Sequence, residues 1–219
     1  MLIAEELLLL AHDDLRTGPS LFDDAPYRLA GALLVELVIA GRVALPARGE
    51  DGPVVVLDRA PTGRRELDDA LDLAASAPWR ATELVDVLAR RVERPMLDGL
   101  VAQGLLRRED RAVWGVLRST RWRTVEGPAV AVLRRRVHGV LLDGAAPGDR
   151  TAALLTLAEG SGWLRPRVPR ERRREADARM REVAATWWRG SAVREAAGAV
   201  VAAVVGVVGS ATLVLPAGT

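Results

Sequence analysis

Three groups of side chains in this 219-residue sequence have the types and spacing to do chemistry. His12-Asp13-Asp14 contains metal-ligand residue types, but adjacent positions do not converge on one ion, and His138 is the only other histidine. Without cysteine no thiolate site can complete it, so turn bonding at a helix end accounts for the triplet. Asp68-Asp69 has the composition of an acid–base pair, yet at the start of a helix it reads as a solvated turn favoured by the helix dipole. No nucleophile elbow, Walker loop or dinucleotide fingerprint occurs. No catalytic residue, metal or cofactor is therefore expected, and the chain is not expected to be an enzyme. Arg90, Arg91 and Arg94 are the third group. These positions lie on one side of a helix and its exit, where guanidinium forks can hold phosphate bidentately. The plain alternative is a solvated charged face.

Composition bounds what surrounds these groups. Hydrophobic residues make up 49% of the chain, enough for a sizeable core, and the length suits one large domain or two small ones. One domain over residues 1–219 is expected. The absence of cysteine fits a reducing cytoplasm. The opening helix carries Glu5 and Glu6 and lacks a basic start and a cleavage site, so it does not read as a signal peptide. All 31 basic residues are arginine, which together with abundant Ala, Val, Leu and Gly points to a GC-rich bacterial genome. The net charge of +2 hides an asymmetry: residues 1–80 hold eight arginines against fourteen carboxylates, residues 81–219 twenty-three against fifteen. The second part is the anion-facing candidate.

The elements that position these groups follow from hydrophobic spacing. Leu7 to Leu10 make the first helix apolar on nearly every face, so it belongs inside a core. From Pro26, Leu29, Leu33, Leu37 and Ala40 recur at helical spacing until Gly41, a left-handed stop. Val43-Ala44-Leu45 and Val54 to Leu57 predict a hairpin. Helices are expected over Arg65 to Ala77, Ala81 to Val92 and Pro95 to Gln103, the last stopped by Gly104. A second hairpin is expected over Leu105 to Leu117, with its turn at Arg107 to Arg111 and Ala112 to Leu117 as the return strand. Helix, glycine and strand here echo Leu33 to Leu45. Thr124 is expected to cap a helix with Arg134, Arg135 and Arg136 in its middle, and Thr151 to Glu159 forms another. Arg165 to Trp188 reads as one long exposed helix docked through Val183, Ala184, Trp187 and Trp188. Ala196 to Leu215 is uncharged and, at about 1.5 Å per residue, long enough to cross roughly 30 Å of hydrocarbon. Its Ala/Gly-rich composition favours a core helix over a tail anchor, with Val200, Val201, Val204 and Val205 buried.

Several of these stretches carry a family resemblance. Leu2 to Leu10, Gly31 to Leu37, Gly41 to Leu45, Ala60-Pro61-Thr62-Gly63 with Leu67 to Leu71, and Leu100 to Leu106 together resemble the Golgi phosphoprotein family. That family comprises eukaryotic proteins that bind phosphatidylinositol 4-phosphate on Golgi membranes, and short bacterial relatives. The resemblance implies a mainly α protein, a single globular domain of packed helices with small β-hairpins. It also implies a non-enzymatic peripheral membrane protein that binds anionic phospholipid at the cytoplasmic membrane face. The family's head-group pocket uses a tryptophan and an arginine around the start of the long second helix, and two arginines three apart on a later helix. Aligned through Gly31-Ala32-Leu33 and Leu100-Val101, Phe22 falls at the tryptophan, Ala30 at the first arginine, Arg90 at the second and Glu93 at the third. Arg28, Arg91 and Arg94 are neighbouring candidates to compensate. The family's hairpin for membrane contact and oligomerisation falls on Ala112 to Val116, with Val113, Trp114 and Val116 its apolar residues, which implies contact with a bilayer or a second copy; a buried wing of the core is the plain alternative.

Two other classes compete with this reading. Ala81 to Gln103 followed by a basic hairpin is the order of a winged-helix nucleic-acid binder, whose binding would fall steeply with salt. An intracellular scaffold for protein tails is the other. Nucleic acid is the less expected partner, and anionic phospholipid the favoured one.

Overall fold

The structure, a computed structural model, describes residues 1–11, 24–46, 52–113, 117–164, 167–189 and 191–212; for residues 110–113, 117–119, 121, 192 and 209–212 only the backbone is described. Among the described residues there are eight α-helices and two two-stranded antiparallel sheets. The protein is mainly α. In chain order the elements are α1 (Ile3–Ala11), α2 (Ala25–Ile39), β1 (Val43–Ala44), β2 (Val55–Val56), α3 (Arg65–Ala75), α4 (Ala81–Ala102), β3 (Leu106–Val113), β4 (Leu117–Thr124), α5 (Pro128–Leu142), α6 (Asp149–Ala158), α7 (Arg173–Thr186) and α8 (Ala192–Thr212). They sort into two compact units, Met1–Asp23 with Arg94–Ala185, and Asp24–Glu93 with Thr186–Thr219.

In the first unit α1 is the core. Every residue from Ile3 to Ala11 is buried, and α5 and α6 pack against it. An apolar helix with no solvent face must still place its two carboxylates. Glu5 does so locally, accepting the Leu2 N–H at 2.7 Å as in a capping box, and a second bond from the Gln103 amide at 3.0 Å. Glu6 is 4% exposed and pairs with Arg136 of α5. The carbonyls at the other end of α1 meet Arg167, whose guanidinium donates to Leu9 and Leu10 at 3.0 to 3.2 Å. A cation at a helix C-terminus satisfies carbonyls and complements the dipole at once. Arg172 does the same for Leu142 of α5, at 2.6 Å.

In the second unit α2 is the buried element, packed by α8 and α3. It ends as its glycine demands. Gly41 has φ +67°, its N–H donates to the Val38 carbonyl at 3.0 Å, and the Arg42 N–H reaches Leu37 at 2.8 Å, the pair of bonds that closes a Schellman stop. Val43 then pairs with Val56 and Ala44 with Val55. The predicted hairpin is present, shortened to two residues a side.

Several boundaries differ from expectation. Ala81 to Ala102 is a single helix that runs through Pro95, which is exposed and withholds only one N–H from the ladder. The paired helices of a winged-helix reading are therefore one continuous helix. The second hairpin is longer and turns later than expected: Leu106 pairs with Thr124 and Val113 with Leu117, so Arg107 to Arg111 are strand and the return strand is Leu117–Thr124. Thr124 ends that strand and its hydroxyl donates to the Leu9 carbonyl at 3.1 Å, while Gly127 and Pro128 open α5. The expected long helix over Arg165 to Trp188 begins only at Arg173, after extended Pro169 and a 3-10 turn at Arg170–Arg172, because proline disfavours helix in the residue before it. In α8, Val200, Val201 and Val204 are buried as expected, but Val205 is 65% exposed. Among the described residues no helix is long and apolar enough to cross a membrane.

Candidate functional site

The arginines singled out by spacing lie on α4, whose buried face is Leu84, Val85, Leu88, Ala89, Val92, Met96, Leu97 and Leu100. This apolar stripe at helical spacing turns the remaining face outward. Arg90 is 74% exposed and bonds Asp86 one turn earlier at 2.7 Å. Arg94 is 65% exposed and bonds Asp98 one turn later at 2.9 Å. Arg91 is exposed, and Glu93 is half-buried beside them. Exposed i,i+4 pairs of this kind contribute only about 0.3–0.5 kcal/mol, so an incoming phosphate can displace the carboxylate at small cost.

Arg28 is placed differently. Its side chain is 11% exposed and its Nε donates to Asp24 at 2.7 Å, so its fork is already engaged by a carboxylate at the start of α2. Ala30 is fully buried. Phe22 lies outside the described residues, as do Trp114, Val116 and the His12-Asp13-Asp14 triplet. Val113 ends β3 opposite Leu117. Among the described residues no group of three or more His, Asp or Glu is placed to hold a metal ion.

Asp68 is more than a solvated helix start. One of its oxygens accepts both the backbone N–H and the hydroxyl of Thr62, each at 2.7 Å. The backbone bond first, and the hydroxyl second, hold its carboxyl below the ordinary value of 3.8. The Ala60-Pro61-Thr62-Gly63 motif is thus a clamp on the start of α3.

Local pattern gave no sign of other placements. The three adjacent arginines of α5 have three fates: Arg134 pairs with Glu126 at 2.6 Å, Arg136 turns inward to Glu6, and Arg135 is exposed. The signal is available only in reverse, because Glu6, a carboxylate inside a leucine helix, requires a partner from another element.

Eight helices among the described residues and two antiparallel hairpins define a helix-dominated protein, with an exposed arginine group, paired in part with aspartates, on the helix before the longer hairpin. The chain belongs to the Golgi phosphoprotein 3 (GPP34) family, whose family model matches residues 3–200. A comparison with curated proteins finds no match.

Proposed function

We propose that this chain is a non-enzymatic peripheral membrane protein that binds anionic phospholipid head groups at the cytoplasmic face of a membrane. The observation that carries the reading is the exposure of Arg90, Arg91 and Arg94 on α4. Each arginine near an anionic surface contributes on the order of 1 kcal/mol, so three give weak, reversible attachment. Glu93 and the Asp86 and Asp98 pairs oppose it. The second signal is read from the sequence alone, in the apolar residues Val113, Trp114 and Val116, the last two outside the described residues, since stable anchoring tends to need two weak signals. Arg28, held by Asp24, is the least available of the arginines.

Selectivity for phosphatidylinositol 4-phosphate is expected to be poor, because Ala30 and Glu93 stand where family pocket arginines fall. Co-sedimentation with liposomes of neutral and anionic composition tests the reading. Pelleting should require anionic lipid, fall with salt, and drop in the Arg90→Ala, Arg94→Ala double variant. Unchanged pelleting of that variant, or none by the parent at low salt, removes these arginines from the function.

A further inference from the structure

The unit built on α1 contains a cavity of about 700 Å³, bounded by the end of α1, one side of α5 and the segment between α6 and α7. That volume is in the range of small-molecule sites. Its walls include Leu141, Leu164 and Val168, all buried. Its rim is cationic. Arg135 and His138 lie three residues apart on α5, on one side of the helix, and both are exposed at the opening. Arg167 borders the same space, fixed there by its bonds to the carbonyls of Leu9 and Leu10. Asp143 is the one carboxylate among the described lining residues, and it lies in the field of Arg172.

An apolar wall under a cationic rim discriminates against simple ligands. A small anion would leave the leucine and valine surface wet, and an uncharged hydrocarbon would bring nothing to the arginines. We propose that this cavity binds a single-chain amphiphile with an anionic head, a long-chain carboxylate or an alkyl phosphate. Its chain lies against Leu141, Leu164 and Val168, and its head meets Arg135 and His138. Arg167 is a positioning residue that ties the end of α1 to the wall. The site uses none of the arginines of α4, so it stands whether or not the chain attaches to a bilayer.

Isothermal titration calorimetry of the full chain tests this, with dodecanoate and dodecyl phosphate below their micelle concentrations and with dodecanol and inorganic phosphate as controls. Both dodecyl anions should bind one to one, dodecanol at least about tenfold more weakly, and inorganic phosphate not measurably. The stronger of the two anions identifies the head as carboxylate or phosphate. Arg135→Ala should weaken the anions about tenfold and leave dodecanol unchanged, whereas His138→Trp, which fills the opening, should weaken all three chains. Dodecanol binding as tightly as dodecanoate, an Arg135→Ala variant with unaltered affinity for the anions, or no binding of either anion overturns the proposal. The comparison of dodecanoate with dodecanol needs no variant and decides the matter even if a substituted chain fails to fold.

Discussion

Two stretches of the chain follow the same order of helix, glycine, hairpin and helix, and they diverge where charge and proline differ. In the first, α2 stops at Gly41 and leads through β1 and β2 into α3; in the second, α4 stops at Gly104 and leads through β3 and β4 into α5. The stops are alike in detail. Gly104 has φ +70° and donates to the Val101 carbonyl at 2.9 Å, and the Leu105 N–H reaches Leu100 at 2.9 Å, repeating the bonds around Gly41. The hairpins are not alike. The first pairs two residues a side and the second eight. Pro46 follows the first strand closely and Pro53 precedes the second, and neither can donate to a ladder, whereas residues 106–124 contain no proline. The following helices also start differently: α3 is held by the Thr62–Asp68 clamp, and α5 by Pro128 behind Gly127 without a side-chain cap. A shared local stop sets the change of direction, and the residues after it decide how far the hairpin runs.

The largest test of this likeness is in the core. Leu37 and Leu100 hold the same place in the two stops and both are fully buried. Leu37→Ala and Leu100→Ala should each cost about 2–5 kcal/mol in urea unfolding. If either costs under about 1 kcal/mol, the two helix ends are not equivalent. Next come the glycines. A Cβ on Gly41 or Gly104 would meet no atom within 4 Å, so the cost of Gly41→Ala or Gly104→Ala is backbone strain alone, about 1–2 kcal/mol. The two values should agree within about 0.5 kcal/mol, and a larger gap would show that one loop relaxes.

The clamp on α3 separates the stretches by pH. Because the folded Asp68 carboxyl lies below its ordinary value of 3.8, its contribution is present above that value and is lost as pH falls through the lower folded value. Asp68→Asn should therefore lower Tm at neutral pH, and the difference from the parent should close on acidification below about pH 4. A Tm gap that persists at pH 2 would place the effect in packing and not in the carboxylate.

What was legible in the sequence divides along the same lines. The Gly41 and Gly104 stops, the first hairpin and the buried faces of α1 and α2 follow from spacing and turn chemistry, which act over a few residues. The later turn of the second hairpin was hidden because Arg107 to Arg111 are polar and read as a loop, while their pairing with Ser119 to Arg123 shows no alternation of apolar residues. Pro95 reads as a helix start in sequence, since its exposure, which makes it tolerable inside α4, is a tertiary fact. Glu5 has a local partner in the Leu2 N–H, but its second partner, Gln103, and the partner of Glu6, Arg136, are 98 and 130 positions away, beyond any local pattern. Of the candidate site, the exposed group Arg90, Arg91 and Arg94 is visible from helical spacing, but the pairing of half-buried Arg28 with Asp24 is not.

The smallest expected effect concerns the charge that marks the second hairpin. Arg107 and Arg123 sit directly opposite one another, an arrangement that repels, and Glu109 bonds both, at 3.2 Å and 3.4 Å. All three side chains have some solvent exposure, so the pairs are screened and their worth is that of surface bridges. Glu109→Gln removes the bridging charge and leaves the shape, and should destabilise by about 0.5 kcal/mol at low salt. The first hairpin has no such cluster in its two paired positions, where only Val and Ala meet, so its stability should not respond in this way. In 1 M salt, where screening acts within about 3 Å, the Glu109→Gln difference should vanish. Equal destabilisation at both ionic strengths would mean that Glu109 supports the hairpin through hydrogen-bond geometry, and that the arginine excess of β3 and β4 is not held against self-repulsion by this carboxylate.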